Sequence, residues 1–218
     1  MRIPIHKQEQ YSRLDLLLRS LFGFLYIGIP HLFLMMFANI WSSIIGFISW
    51  WVILFTGSYP RSFWEFNLGL QKWSLRLNCV LYNLADQYPQ FWVDKNNNNE
   101  ISDIELEYPE SQSRGTLLLR SFFGFIYVII PHGLVLFFRS IAGMVLSFLA
   151  WWAVLFTGKY PESWFEFNAG TLRWSTRVNL YMAFLTDEYP PFTGGETDPE
   201  PKTPVYGPTE PVSSTTTA

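Results

Sequence analysis

The stretch RSLFGFLYIGIPHLFLMMFANIWSSIIGFISWWVILFTG, residues 19–57, decides the fold, because it recurs as RSFFGFIYVIIPHGLVLFFRSIAGMVLSFLAWWAVLFTG at residues 120–158. Both copies are apolar along almost their whole length, and the second follows the first by 101 residues with no shift in register. The match continues to the closing residues 88–89 and 189–190, which are Tyr-Pro in both copies. Self-similarity at a fixed period is the signature of an internal repeat, so the chain holds two copies of one unit.

The composition of the chain is unusual for a water-soluble domain. Charged residues make up 15% of the 218 residues and aromatic residues 19%, whereas average proteins contain about 25% charged residues. The net charge is -3 and acidic residues gather between and after the two copies, which argues against nucleic acid as a partner. Cys79 is the only cysteine, so the sequence offers no internal disulfide and no cysteine-rich metal site.

Each unit begins with an apolar run that is long enough to cross a membrane. In the first unit this run covers residues 16–37, and at 1.5 Å per residue such a helix spans a hydrocarbon core of roughly 30 Å. A shorter apolar run follows at residues 40–55, and only residues 38–39 separate the two runs. We therefore predict an antiparallel transmembrane hairpin, which the second unit repeats with its tip at residues 139–140.

A third helix is predicted after each hairpin. Gly57 is a natural end for the preceding helix, and Pro60 cannot continue it. Ser62 and Glu65 have the spacing of a capping box at the start of a new helix. Apolar side chains then recur at helical spacing on one face and basic side chains lie on another. Because a charge at the centre of a membrane costs about 2.5–3.5 kcal/mol, we expect this helix to lie in the membrane interface. The bases expected to contact lipid headgroups are Lys72, Arg76, Arg173 and Arg177.

These patterns predict an all-α membrane protein of two tandem repeats, each a transmembrane helical hairpin followed by an amphipathic interfacial helix. The expected boundaries are an N-terminal segment at 1–13, repeat one at 14–92, an acidic Asn-rich linker at 93–114, repeat two at 115–192 and a disordered tail at 193–218. The tail is rich in Pro, Thr, Ser and Gly, a composition that does not support a packed core.

The distribution of basic residues predicts the orientation in the membrane. Arg2, Lys7 and Arg13 precede the first apolar run, whereas the hairpin tips carry only Arg139. By the positive-inside rule, both termini and the linker are expected on the cytoplasmic side. The expected partners are the lipid bilayer and other membrane protein subunits.

Four ionisable residues in or beside the first apolar runs are candidates for a polar pocket, namely Arg19, His31, Arg120 and His132. Ionisable groups within a membrane are candidates for function by default. An alternative is structural: each histidine follows a proline, and its ring can satisfy the carbonyl that the proline frees. The arginines can instead extend to lipid phosphates or pair with a carboxylate. Histidines that share one cavity would favour a transporter, and histidines that pack separately under aromatic rings would favour a structural role.

The carboxylates available for helix capping or for ion pairs with these arginines are Glu65, Glu166, Asp86 and Asp187. No catalytic motif accompanies them: the sequence lacks G-x-S-x-G, H-E-x-x-H, a Walker A loop and a dinucleotide-binding glycine pattern. Cys79 corresponds to Leu180 in the second unit, so it is interpreted as a packing residue. We therefore expect no enzymatic activity, no metal site and no cofactor.

The repeated motif resembles a known family. The pattern Trp-Trp-x-x-Leu-Phe-Thr-Gly-x-Tyr-Pro, then Phe-Asn, and the closing Asp-x-Tyr-Pro-x-Phe are similar to the bacterial membrane family called domain of unknown function 4389, over residues 14–92 and 115–192. The resemblance implies a multi-pass protein of the bacterial inner membrane, and it implies no activity. Some members of that family carry one unit and others carry two.

Two functions of different classes follow from the sequence. The first is a non-enzymatic accessory or scaffold component of a membrane complex, because the many aromatic side chains supply contact surface and no catalytic group is evident. The alternative is a small transporter or lipid-binding membrane protein with a polar pocket between the two repeats.

Overall fold

The computed structural model describes residues 1–91 and 101–196, and in these residues the chain forms four helices. Their bounds are α1 (Arg13–Thr56), α2 (Arg61–Leu81), α3 (Arg114–Thr157) and α4 (Glu162–Met182). The N-terminal segment and the linker are joined by two isolated antiparallel bridges, Arg2 with Glu105 and Ile5 with Ser102. The all-helical fold class is confirmed. The predicted disorder of the tail after Glu196 and the Asn run of the linker lie outside the described residues.

The first helix of each repeat is one continuous helix, so the predicted hairpin is wrong. α1 continues through Ala38 and Asn39, where the sequence predicted a turn, and α3 continues through residues 139–140. Neither pair contains a glycine or a proline, and the Asn39 side chain donates to the carbonyl of Met35 one turn earlier in the same helix. Each long helix has 44 residues and is therefore about 66 Å long.

Each long helix contains a π-helical segment just before its proline. In α1 the segment is Phe24–Gly28 and the proline is Pro30. Proline has no N–H, so the carbonyl four residues earlier loses its helical donor. That carbonyl belongs to Tyr26, and the hydroxyl of Tyr88 donates to it at 3.0 Å. The second repeat has the same bond from Tyr189 to Tyr127 at 2.9 Å. The sequence suggested the neighbouring histidines for this role, and the tyrosines perform it.

The short helices begin at a proline and not at a capping box. Pro60 directly precedes α2, which starts at Arg61, and its side chain makes no capping bond. Glu65 lies inside the helix and pairs with Arg61 at 3.2 Å. In α4, Glu166 pairs with Arg173 at 3.1 Å. The prediction that these glutamates cap the helices is therefore wrong, because the helix begins before the expected cap.

The two amphipathic helices, α2 and α4, lie at the centre of the molecule. They run antiparallel: the Trp64 indole near the start of α2 donates at 2.9 Å to the carbonyl of Leu185, just after the end of α4. Their apolar side chains form the main hydrophobic core together with side chains from both long helices. Trp73 and Trp174 are each only 4% exposed. The apolar face of each short helix therefore packs inside the protein and not against lipid.

The two repeats are tied to each other by reciprocal contacts, which indicate a pseudo-two-fold axis. The Trp50 indole donates to the Ser121 hydroxyl at 2.7 Å, and the equivalent Trp151 donates to Ser20 at the same distance. The end of each long helix thus lies beside the beginning of the other. The two long helices are therefore antiparallel, and each repeat completes the other.

The surface of the molecule is apolar where the two long helices form it. Most of the exposed large hydrophobic side chains lie on α1 and α3, such as Phe47 at 67% and Phe148 at 63% exposure. Several charged side chains are buried inside the protein, and Arg177 is completely buried. Soluble proteins show the opposite distribution, and a large exposed apolar surface marks contact with lipid or with another protein.

Candidate functional site

Each repeat holds its histidine in a cluster of aromatic rings, which we call the histidine cluster. In repeat one the Trp73 indole N–H donates to Nδ1 of His31 at 2.8 Å. The Phe91 ring stacks on the imidazole with centroids 4.1 Å apart and planes 9° from parallel. Repeat two has the same arrangement: Trp174 donates to His132 at 2.8 Å, and Phe192 stacks at 3.9 Å. Because Nδ1 accepts a hydrogen bond, the geometry favours the neutral tautomer with its proton on Nε2.

Each repeat also holds its first arginine in an anchor to the turn after the short helix. Arg19 donates to the carbonyl of Ala85 at 2.8 Å and to the Asp86 carboxylate at 3.4 Å. Asp86 in turn accepts the backbone N–H of Ser12, the residue that caps α1, at 2.7 Å. Burial raises the pKa of Asp86, while the Ser12 N–H and the Arg19 guanidinium act to lower it. The anchor therefore fastens the start of the long helix to the end of the short one.

The second repeat contains an equivalent anchor. Arg120 pairs with Asp187 at 3.2 Å, and Asp187 accepts the Ser113 N–H at 2.7 Å. Of the alternatives for Arg19 and Arg120, the structure thus supports the ion pair with Asp86 and Asp187 over contact with lipid phosphates.

The four candidate pocket residues do not come together in one site between the repeats. Arg19 and His31 contact residues of repeat one, and Arg120 and His132 contact residues of repeat two. Each histidine lies under its own tryptophan and phenylalanine, the arrangement that favours a structural role. These four residues therefore do not form the predicted polar pocket between the repeats.

The basic residues of the short helices are buried and not placed to contact lipid headgroups. Lys72 pairs with Asp103 of the linker at 2.8 Å. Arg173 donates to the carbonyls of Ile3 and Ile5, each at 3.3 Å, in the N-terminal segment. The other two bases, Arg76 and Arg177, are at most 2% exposed. Lys72 and Arg173 therefore bind polar segments of the chain itself to the α2–α4 pair.

The tail contributes to the same polar layer through its first residues. Arg177 donates to the carbonyls of Thr193 and Gly195 at 3.0 and 2.6 Å. Glu196 lies 3.9 Å from Arg173. The N-terminal segment, the linker and the start of the tail thus all meet on one polar face of the molecule.

The described residues offer little for catalysis. Within residues 1–91 and 101–196, no three His, Cys, Asp or Glu side chains are grouped so that they could hold a metal ion. Cys79 is buried, and burial raises the pKa of its thiol to about 12. Because the thiolate is the nucleophile, a thiol with so high a pKa is inert at neutral pH.

Sequence reasoning missed two members of the histidine cluster in each repeat. They belong to the Tyr-Pro-x-Phe motif that closes each repeat, and they are Tyr88 and Phe91 in repeat one and Tyr189 and Phe192 in repeat two. The signal was the spacing: the motif stands 57 residues after each histidine in both repeats. Aromatic residues kept in register with a buried histidine are candidates to pack against it.

The comparisons with known proteins agree with one part of the resemblance. A family model described as Domain of unknown function (DUF4389) matches residues 117–194, which cover the second repeat. The match to the first repeat remains a prediction. No curated protein matches the chain, and no solved structure matches it.

Proposed function

We propose that this chain is a non-enzymatic structural component of a membrane, held in one leaflet by the apolar surface of its two long helices. In this arrangement α1 and α3 lie along the membrane inside the hydrocarbon, and the polar face faces water. The protein then presents a broad polar platform on which other membrane subunits assemble.

The observation that carries this proposal is that both ends of each long helix are bonded to the polar segments. α1 begins directly after Tyr11 and Ser12 of the N-terminal segment, and at its end the carbonyl of Gly57 accepts the N–H of Gln112 in the linker at 2.7 Å. α3 mirrors this, since the carbonyl of Gly158 at its end accepts the Tyr11 N–H at 2.9 Å.

The two polar segments are themselves paired, so they must lie on the same side of a membrane. The bridge between Arg2 and Glu105 joins them over the short helices, and both side chains are about half exposed. Charged groups in contact with solvent do not lie in hydrocarbon. A helix whose two ends are fixed to segments on one side enters the bilayer without crossing it.

The dimensions of the long helices support the same arrangement. Each is about 66 Å long, more than twice the roughly 30 Å of a hydrocarbon core. An upright helix of this length would carry apolar side chains far into water on at least one side. Lying along one leaflet, it buries them all, and its few polar side chains, such as Asn39 and Arg139, bond back to the protein.

The basic residues support a cytoplasmic polar face. Arg2 and Lys7 lie on the N-terminal segment that forms this face, and the linker lies beside it. We propose that both termini and the linker lie in the cytoplasm, at the inner membrane of a bacterium. The competing arrangement is one in which each long helix crosses the membrane once, since both helices are long and apolar enough to do so.

A scaffold fits the geometry better than a transporter does. The two histidine clusters are closed by aromatic rings, and Lys72, Arg173 and Arg177 bond to other segments of the chain. Among the described residues, these groups therefore do not form a shared polar path between the repeats. Purification in mild detergent should yield a defined membrane partner. Recovery of the protein alone, together with solute flux in reconstituted vesicles, would favour the transporter.

The one-leaflet arrangement is tested by labelling single cysteines from each side of a sealed membrane. Cys79→Leu, which copies Leu180 of repeat two, provides the cysteine-free background. Single cysteines then replace residues that flank the long helices, namely Gln10, Ser58, Ser111 and Lys159. A membrane-impermeant maleimide should label all four from the same side. Labelling of Gln10 and Ser58 from opposite sides would show that α1 crosses the membrane.

A matched control uses the exposed apolar surface. A cysteine in place of Phe47, near the middle of α1, should resist the impermeant reagent from both sides and react with a membrane-permeant one. Rapid reaction of this cysteine with the impermeant reagent would mean that the apolar surface faces water, and the proposal would fail.

A further inference from the structure

Repeat one contains a cavity at a place that side chains occupy in repeat two. The cavity has a volume of about 350 Å³ and lies between the first half of α1 and the end of α2. Its walls include Gly23 and Ile27 of α1 and Leu77 and Val80 of α2, with Arg19 and Asn83 at the polar end. This volume is within the range of small-molecule sites.

The cavity opens onto the apolar surface of the molecule. Phe24, Leu32 and Leu81 line it and are 71%, 60% and 58% exposed. The deeper walls are buried, since Ile27 and Val80 are each 2% exposed. A ligand would therefore enter from the proposed lipid-facing surface, and its apolar part would enter first.

The equivalent space in repeat two is filled by the chain's own side chains. The terminal methyl of Met182 lies 3.3 Å from the position that a Cβ on Gly124 would occupy. The Tyr181 and Phe184 rings enclose the Arg120 guanidinium, with centroids 4.4 and 4.6 Å from it. A flexible unbranched side chain and two rings thus occupy what repeat one leaves open.

The cavity lining differs between the repeats at several positions, and three of them lie at the end of the short helix. Where repeat two has Tyr181, Met182 and Phe184, repeat one has the smaller Val80, Leu81 and Asn83. In the described part of the chain, the atoms nearest to a Cβ added at Gly23 are carbons of Arg19 in the same helix. An empty apolar cavity loses contacts on every wall, so an occupant from outside the chain would stabilise it.

We propose that this cavity binds one acyl chain of a membrane lipid, with the polar end of the lipid near Arg19 and Asn83. The Met182 side chain shows the kind of group that fits the space, namely a narrow and flexible chain. Arg19 is already paired with Asp86, so the site selects the acyl chain and not an anionic headgroup. The inference rests on the proposed membrane location.

The test uses vesicles of phosphatidylcholine that carry a photoactivatable diazirine on the acyl chain. After irradiation, labelled residues are identified by mass spectrometry. Labelling is expected on the buried cavity walls Ile27, Leu77 and Val80. The repeat-two counterparts of these walls, Val128, Val178 and Tyr181, should remain unlabelled.

Exchanging these three positions at the end of the short helix provides matched variants. Val80→Tyr with Leu81→Met and Asn83→Phe copies repeat two, and it should abolish labelling of Ile27. The reverse exchange, Tyr181→Val with Met182→Leu and Phe184→Asn, should open repeat two and make Val128 a labelled residue. Two independent variants keep the test valid even if one of them does not fold.

Labelling of the exposed residues Phe47 and Phe148 distinguishes failure of this inference from failure of the proposed function. If they are labelled but the walls of the cavity are not, or if the exchanges leave the pattern unchanged, the cavity does not bind an acyl chain. If neither surface nor cavity is labelled, the protein is not embedded in lipid and the proposed function fails first.

Discussion

Two residues of each long helix, a proline and the tyrosine four positions before it, explain why the closing motif of each repeat has a tyrosine. Pro30 cannot donate to the carbonyl of Tyr26, and a free carbonyl in an apolar environment costs free energy. The hydroxyl of Tyr88 donates a hydrogen bond to this carbonyl at 3.0 Å. The aromatic cluster around His31 therefore fixes the turn after α2 against the weakest point of α1.

At the residue scale we predict that the second-repeat anchor is essential for stability. Arg120 is completely buried and pairs with Asp187. Asp187→Asn leaves this charge without its counter-ion, and breaking a buried pair in this way costs about 3–5 kcal/mol. Thermal and denaturant unfolding in detergent would measure the loss. The adjacent Glu188→Gln is the control, since Glu188 is well exposed and should change stability little; equal effects of the two variants would contradict the prediction.

At the scale of helices, the residues at the centre of each long helix explain why the helix is continuous. Ala38 and Asn39 include no residue that ends a helix, and flanking apolar residues continue the helical pattern on both sides. Polarity alone suggested a turn there. A polar side chain can instead bond within its own helix, as Asn39 does, or to the neighbouring helix, as Arg139 does with Phe167 and Thr171.

A distance measurement distinguishes the continuous helix from the hairpin. Cysteines in place of Ile29 and Ile48, in the Cys79→Leu background, carry spin labels on exposed positions. In one helix their backbones are about 28 Å apart, whereas facing helices of a hairpin would lie about 8–10 Å apart. Pulsed electron resonance should give the longer distance. Ile130 and Leu149, at the same positions of α3, form the control pair and should give a matching value.

At the scale of the whole molecule, the reciprocal contacts mean that a repeat is structurally incomplete without a second copy. The end of α1 is bonded to the linker, where Gln112 donates to Gly57, and to the second repeat, where Ser121 accepts from Trp50. Since the two repeats present equivalent groups, a second copy of repeat one can supply what repeat two supplies.

We therefore predict that residues 1–95, expressed alone, form a homodimer. Trp50 of one copy would donate to Ser20 of the other, which replaces Ser121. Native mass spectrometry from detergent should show the dimer, and Trp50→Phe should weaken it. A fragment that is folded and monomeric at all concentrations would contradict this prediction.

The sequence by itself determined the duplication, the all-helical class and the apolar character of the long helices, because register and hydropathy depend only on the order of residues. It also placed Asp86 among four carboxylates that could pair with Arg19, and it left the choice between them open. Only the tertiary structure decided that the long runs are single helices, that the amphipathic pair forms the interior, and that the basic residues bind the chain's own segments. Whether a polar side chain faces solvent, lipid or a neighbouring carbonyl depends on which elements pack against it, and hydropathy carries no information on that.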